Sequence, residues 1–257
     1  MTTKFQPVYI VGIQAGDCRY DVRVNDCPVI SVTKEVMIAT QIPVNQWILY
    51  GDNTLEVTMI RRSDVRGRCQ LQVWRQDLAD IQAYSYLTGF STVCRIKDRE
   101  EALVTYRHQI HFETDAPFPT WRWHQSKSEP HIPKTIILDQ VQTFWQALSS
   151  QDMGKLRHYY REKNEELSIS RYQTPEQREE EMVSQFLEIW AEGKWHLQML
   201  NLDNIQLLPY ASNRLFKVVT TDRLESPICY VDTQSTVAIY LELVFYRNTN
   251  GEWHIIR

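Results

Sequence analysis

The 257-residue chain is longer than one average domain needs and comfortable for two. A 43% hydrophobic share against 23% charged excludes a disordered chain, and 8 glycines against 13 tyrosines and 8 tryptophans suit half-buried strands better than phosphate-cradling loops. Net charge is −4 but uneven: 16 basic against 15 acidic residues up to position 134, then 12 against 17, which disfavours nucleic acid and favours a basic protein surface as partner.

From Pro7 to about Thr114 the sequence predicts short strands separated by turn residues. Val8 to Ile13 comes first. Arg19 to Asn25 follows, with Tyr20, Val22 and Val24 alternating with charged neighbours, and Asn25-Asp26 turns the chain into Pro28 to Thr33. Ile42 to Leu49 and Thr54 to Arg61 flank a turn at Gly51-Asp52-Asn53, and Arg68 to Arg75 repeats the alternation. Asp77 to Leu87 predicts a helical turn or two, and Glu101 to Phe112 a strand with Tyr106, His108, Ile110 and Phe112 on one side. Strands at this spacing predict an all-β antiparallel sandwich over residues 1–114, jelly-roll or immunoglobulin-like. Pro117, Pro119, Pro130 and Pro133 then exclude a continuous element and predict a linker over 115–135, in which Trp121 and Trp123 either pack or present an aromatic patch to a partner.

Helical periodicity takes over after Thr135. Ile137, Val141, Trp145 and Leu148 share one face; Asp152 caps a second helix to about Leu167; Thr174-Pro175-Glu176-Gln177 opens a third, with Gly193 ending it. Strands close the chain, from about Trp195 or Gln198 to Leu208, Leu215 to Thr221 and Pro227 to Asp232. A last strand from Thr236, with Val237, Ile239, Leu241, Leu243 and Phe245 on one face, turns at Asn248 to Gly251 and returns as Glu252 to Arg257. Three helices followed by an antiparallel sheet predict an α+β domain over 136–257.

Two resemblances attach to these stretches. Gly51-Asp52-Asn53-Thr54-Leu55-Glu56-Val57, following Val24-Asn25-Asp26, resembles a pattern in jelly-roll accessory domains of glycosidases, and carries over no catalytic or sugar-binding residue. Phe144-Trp145-Gln146-Ala147-Leu148-Ser149-Ser150-Gln151-Asp152 with Leu156 and Tyr159, and the ending Tyr246-Arg247-Asn248 to Gly251-Glu252-Trp253-His254-Ile255, resemble the opening and last hairpin of NTF2-like (cystatin-like α+β) domains. That resemblance implies a curved sheet over three helices, in a group that spans SnoaL-like isomerases and hydratases, binding subunits and interaction modules.

A catalytic version of such a domain needs an acid or base inside its cone. Glu242 is the most unusual candidate, lying between Leu241 and Leu243; it either lines a pocket with Tyr240, Trp190 and His158 or faces solvent. His108-x-x-His111 places its imidazoles on opposite faces of a strand, so no metal site is expected; nor is any cofactor or catalytic residue assigned. Four arginines, Arg61, Arg62, Arg66 and Arg68, surround one turn without a stacking row, so nucleic acid is not expected. The five cysteines include no Cys-x-x-Cys pair, Met1 to Pro7 resembles no signal peptide, and no stretch reaches membrane-span length, which together predict a cytoplasmic protein.

The functional expectation is a non-catalytic protein-binding module, similar in character to bacterial immunity proteins that occlude a cognate, basic toxin. Glu176, Glu179 and Glu180 on the third helix, with Trp121 and Trp123, would form the partner surface. The alternatives are a small-molecule binder or isomerase using the C-terminal cone, and a carbohydrate-binding sandwich with an aromatic platform near Trp47 or Trp74.

Overall fold

The structure is a computed structural model that describes residues 5–62, 67–80, 82–94 and 103–257. It is an α+β chain of mostly antiparallel strands in four sheets, with its three long helices in the second half. The chain divides into two compact units, residues 1–119 and 120–257.

The first unit holds β1 (Pro7–Gly16), β2 (Arg19–Val24), β3 (Cys27–Val32), β4 (Ile38–Pro43), β5 (Gly51–Arg62), β6 (Gly67–Asp77), β7 (Tyr84–Cys94) and β8 (Leu103–Thr114). They form two four-stranded sheets in the orders β4-β1-β6-β7 and β3-β2-β5-β8. Period-two alternation decides what is buried: Val11 and Ile13 of β1, Leu71 and Val73 of β6, Val22 of β2 and Val57 of β5 are at most 1% exposed. Asn25 and Asp26 adopt φ of 53° and 58°, the left-handed pair that a two-residue hairpin needs.

Two buried asparagines do the work of missing ladders. Asn45 accepts from the Tyr9 amide at 2.7 Å and donates to the Pro7 carbonyl at 3.1 Å, fixing the 3-10 turn Asn45–Trp47 against β1. Asn53 accepts from the Leu49 amide at 2.8 Å and donates to the carbonyls of Leu49 and Gly51 at 3.0 and 2.9 Å, which closes the turn into β5. Three expectations are corrected in this unit. Ile42 to Leu49 is not one strand, because the chain leaves β4 at Pro43 and coils into that turn. The helical turn expected over Asp77 to Leu87 gives way to β7, with Asp77 and Asp80 accepting from the amides of Ala79 and Gln82 in the turn before it. Trp47 is buried and forms no surface platform. Arg66 and part of the predicted strand before Leu103 lie outside the described residues.

The second unit opens with the short α1 (Arg122–Gln125), then α2 (Lys134–Ser149), α3 (Met153–Ser170) and α4 (Pro175–Ala191). Asp152 caps α3 by accepting from the Lys155 amide, and α4 begins with a reciprocal box: Thr174 accepts from the Gln177 amide while the Gln177 side chain accepts from the Thr174 amide. Gly193, at φ 65°, follows the end of α4. The strands are β9 (Trp195–Leu197), β10 (Ile205–Tyr210), β11 (Leu215–Thr220), β12 (Cys229–Asp232), β13 (Ala238–Tyr240), β14 (Val244–Arg247) and β15 (Trp253–Ile255), in sheets β10-β11-β14-β15 and β13-β12-β9. Phe144, Tyr160, Phe186, Phe216, Phe245 and Trp253 fill the space between helices and sheet. Among the described residues, no helix is long and apolar enough to cross a membrane.

The long strand predicted from Thr236 is bent. Its first half, β13, pairs with β12, and its second half, β14, pairs with β11. Across the bend the Leu241 amide donates to Ile228 at 2.9 Å, while the Leu243 carbonyl accepts from Val218 at 2.9 Å. One strand thus serves two sheets, and Glu242 sits where it changes allegiance.

The β10–β11 turn is unusual: Ala211, Ser212 and Asn213 all take left-handed φ, 50° to 63°. None is glycine, so each such residue costs about 1–2 kcal/mol. The segment before α2 holds them: Ser128 donates its hydroxyl to the Ser212 carbonyl at 2.6 Å, the Glu129 amide donates to Asn213 at 3.0 Å, and Arg214 donates to the Ser126 carbonyl at 3.0 Å. Trp121 and Trp123 are each 1% exposed, so neither contributes the aromatic partner surface expected of them.

Candidate functional site

On α3, Tyr160, Lys163, Asn164 and Leu167 recur at steps of three and four and therefore share a face; on α4, Arg178, Met182, Phe186 and Ile189 do the same. These two faces and the bent strand from Ile239 to Glu242 enclose an open cleft of about 550 Å³. Its wall is apolar along α4 and cationic towards the α3–α4 turn, where Arg171 and Arg178 lie.

Lys163 is a strongly perturbed cation of the cleft. Burial pushes its ammonium down from 10.5 to about 8, with the Glu242 carboxylate opposing the fall and Arg257, Arg178 and Arg171 adding to it. Its Nζ lies 4.8 Å from the centroid of the Tyr160 ring, a contact that supports the charged form while it lasts. Glu242 accepts from Lys217 Nζ at 2.7 Å. Burial would raise the Glu242 carboxyl, but the Lys217 charge and hydrogen bond, then Lys163, outweigh it and hold the group below its usual range. Water still reaches 63% of the Glu242 side chain, because its open side is the cleft itself.

Two polar atoms in the cleft wall have no protein partner. Asn164 is 4% exposed and its Oδ1 accepts nothing, while its Nδ2 makes only a 3.8 Å contact to Met182 Sδ. Arg178 is 7% exposed and its Nε is likewise unpaired, although its Nη1 pairs with Glu181. An unmade hydrogen bond on a buried group costs about 1–3 kcal/mol, so two beside one cleft call for an explanation outside the fold.

A second groove, of about 710 Å³, lies over α3 and the last hairpin. On its wall Glu162 accepts from the buried Tyr246 hydroxyl behind it and also faces His254 Nδ1 at 3.4 Å and Arg122 at 3.6 Å; Asn248 meets the other imidazole nitrogen at 3.0 Å. Both ring nitrogens of the imidazole are thereby engaged by the protein, which suits a strut between α3 and the hairpin better than a free acid–base group.

The residues singled out from sequence scatter over these features. Glu242 and Tyr240 do share the cleft, and Tyr240 donates to Glu225 at 2.9 Å on its rim. Trp190 stands one layer behind, stacked on Phe186 and donating to the Tyr230 hydroxyl at 3.1 Å. His158 lines the other groove, 2.7 Å from Arg161, so it is no part of the lining expected around Glu242. Glu176 and Glu180 are exposed on α4, whereas Glu179 pairs with Arg157 at 3.2 Å. His108 packs on Phe90 with ring centroids 4.3 Å apart, and His111 faces Asp52 from the opposite side of β8.

Sequence reasoning passed over Lys163, Asn164, Arg178 and Lys217. Lys217 did carry a signal: it interrupts Leu215-Phe216-Lys217-Val218-Val219, a run buried throughout, and a lysine on a strand covered on both faces needs a carboxylate. Among the described residues, no three His, Cys, Asp or Glu side chains gather as metal ligands. Cys18, Cys27 and Cys69 are buried, and burial, with Cys18 beside it, pushes the Cys69 thiol up to about 12. No family model, no curated protein and no solved structure matches this chain.

Proposed function

We propose that residues 120–257 form a non-catalytic binding domain, an NTF2-like roll in class, whose cleft takes a small organic anion with an apolar body. The order of three helices before an antiparallel sheet, and an interior filled by its own side chains, support that class; the paired sheets of residues 1–119 support a sandwich for the first unit. The observation that carries the ligand reading is the cationic cluster of Lys163, Arg171 and Arg178 at one end of an apolar-walled cleft. It asks for one anionic group on the ligand, while Met182, Phe186 and Ile189 take its carbon skeleton; Asn164 Oδ1 and Arg178 Nε, closed to water in this conformation, add a hydroxyl or N–H partner only when the lining side chains shift to admit it.

The probe that matches this demand is 1-anilinonaphthalene-8-sulfonate, which combines a sulfonate, an N–H, a naphthalene and a phenyl ring. Saturable fluorescence enhancement with a rise in unfolding midpoint is expected for the native chain, and roughly tenfold weaker binding for Lys163→Met and for Asn164→Leu. Binding that ignores both substitutions refutes the reading. A second reading, occlusion of a basic toxin, has one observation in its favour, the exposed Glu176 and Glu180 on α4. It predicts that the product of the adjacent gene kills cells unless this chain is present, and that Glu176→Lys/Glu180→Lys removes the protection.

A further inference from the structure

The outer face of sheet β4-β1-β6-β7 is built differently from the surface around it. Strand register lays three rows across it: Ala39, Gln14, Gln70 and Ser91; Gln41, Gly12, Gln72 and Gly89; Pro43, Ile10, Trp74 and Tyr86. None of these twelve residues is charged, and the four glutamines are exposed. Two adjoining hollows of about 360 and 450 Å³ lie along the rows and share Gln14, Ala39 and Gln70; Arg68 borders the second.

The glycines explain how the aromatics sit. A Cβ on Gly12 would come within 2.5 Å of the six-membered ring of Trp74, and one on Gly89 within 2.7 Å of the Tyr86 hydroxyl. Both rings thus lie over the sheet in space that side chains would otherwise fill, and the rows stay low enough for a flat ligand to reach the amides. Tyr86 remains 58% exposed and Trp74 half-buried, so part of each ring faces outward.

We propose that this face binds a neutral glycan. Each glutamine amide donates and accepts at once, which matches a hydroxyl that also does both. The rings offer an apolar surface to the C–H face of a pyranose. A phosphate-bearing polymer gains nothing from twelve uncharged positions, and an acidic polysaccharide gains only Arg68. A peptide hydrogen-bonds through its backbone to a strand edge, whereas three of these four amides, Gln14, Gln70 and Gln72, project from the two central strands. Amide–hydroxyl bonds exchange against water at little net gain, so strength grows with the number of sugar units covered.

The test is native affinity electrophoresis of the full chain in gels containing a soluble neutral polysaccharide: mixed-linkage β-glucan, xylan, glucomannan or glycogen. Alginate serves as the acidic arm. Retardation by at least one neutral polymer is expected, abolished in Trp74→Ala and weakened at least about fivefold in the double variant Gln70→Ala/Gln72→Ala. Circular dichroism monitors folding; where Trp74→Ala does not fold, the exposed double variant decides. Passage through all four neutral gels without retardation overturns the proposal, and so does retardation by alginate alone or a folded double variant that migrates like the native chain.

Discussion

Lys163 offers the sharpest measurement in the second unit. An ordinary lysine is about 0.3% neutral at pH 8, whereas a group titrating near 8 is about half neutral there. In chain whose lysines carry ¹³C-methyl labels, one resonance should move with a midpoint near 8, far from the cluster near 10.5. Lys163→Met identifies it by removing it. Glu242→Gln should lower the midpoint further, because Glu242 favours the ammonium, and Arg171→Gln should raise it, because Arg171 disfavours it. The sign carries over to stability. The folded chain releases this proton near 8 while the unfolded chain holds it to about 10.5, so folding should become more favourable as pH rises through that window. In Lys163→Met that rise disappears, and the unfolding midpoint at pH 7 should increase, since the half-buried charge is gone. A resonance that titrates with the rest, or a Glu242→Gln shift upward, refutes the electrostatic account of the cleft.

Three further substitutions test the frame. Arg257 and Glu166, with side chains 7% and 4% exposed, pair at 3.3 Å, so Arg257→Ala should cost about 3–5 kcal/mol in urea unfolding, and Glu166→Gln less because its Oε1 still accepts from the Arg122 amide. Asn53→Ala removes a buried side chain that both donates to and accepts from the Leu49 backbone, and roughly 2–3 kcal/mol should be lost in the same assay. Thr174→Ala undoes one half of the α4 capping box and should cost about 1 kcal/mol, visible as faster amide exchange in the first turn.

How far the sequence reads depends on whether its signal is local. The α4 start at Thr174 and the last hairpin at Asn248 to Gly251 were legible because capping and turn chemistry act within four residues. Glu242 stood out because it is a carboxylate between Leu241 and Leu243 in a strand expected to be covered on both faces. The bend beneath it was not legible, since Val237 to Phe245 keeps perfect alternation and only the competing partners β12 and β11 divide it. β7 was missed for a related reason: Asp77, Asp80 and Gln82 mimic a helix start, and pairing with β6 overrides that local preference. The cleft itself joins residues 160 to 242, and no periodicity reports that Asn164 and Arg178 will end up short of partners.

The left-handed run at Ala211–Asn213 sets an order of events in assembly. A hairpin that must hold Ala211, Ser212 and Asn213 at positive φ is costly on its own, so β10 and β11 are expected to pair stably only once residues 126–129 clamp their loop. Refolding of this sheet should therefore be paced by a stretch that precedes all three long helices. A fragment cut to begin at α2 would gain those helices promptly and then stall, its central strands lacking the wedge that lets them close.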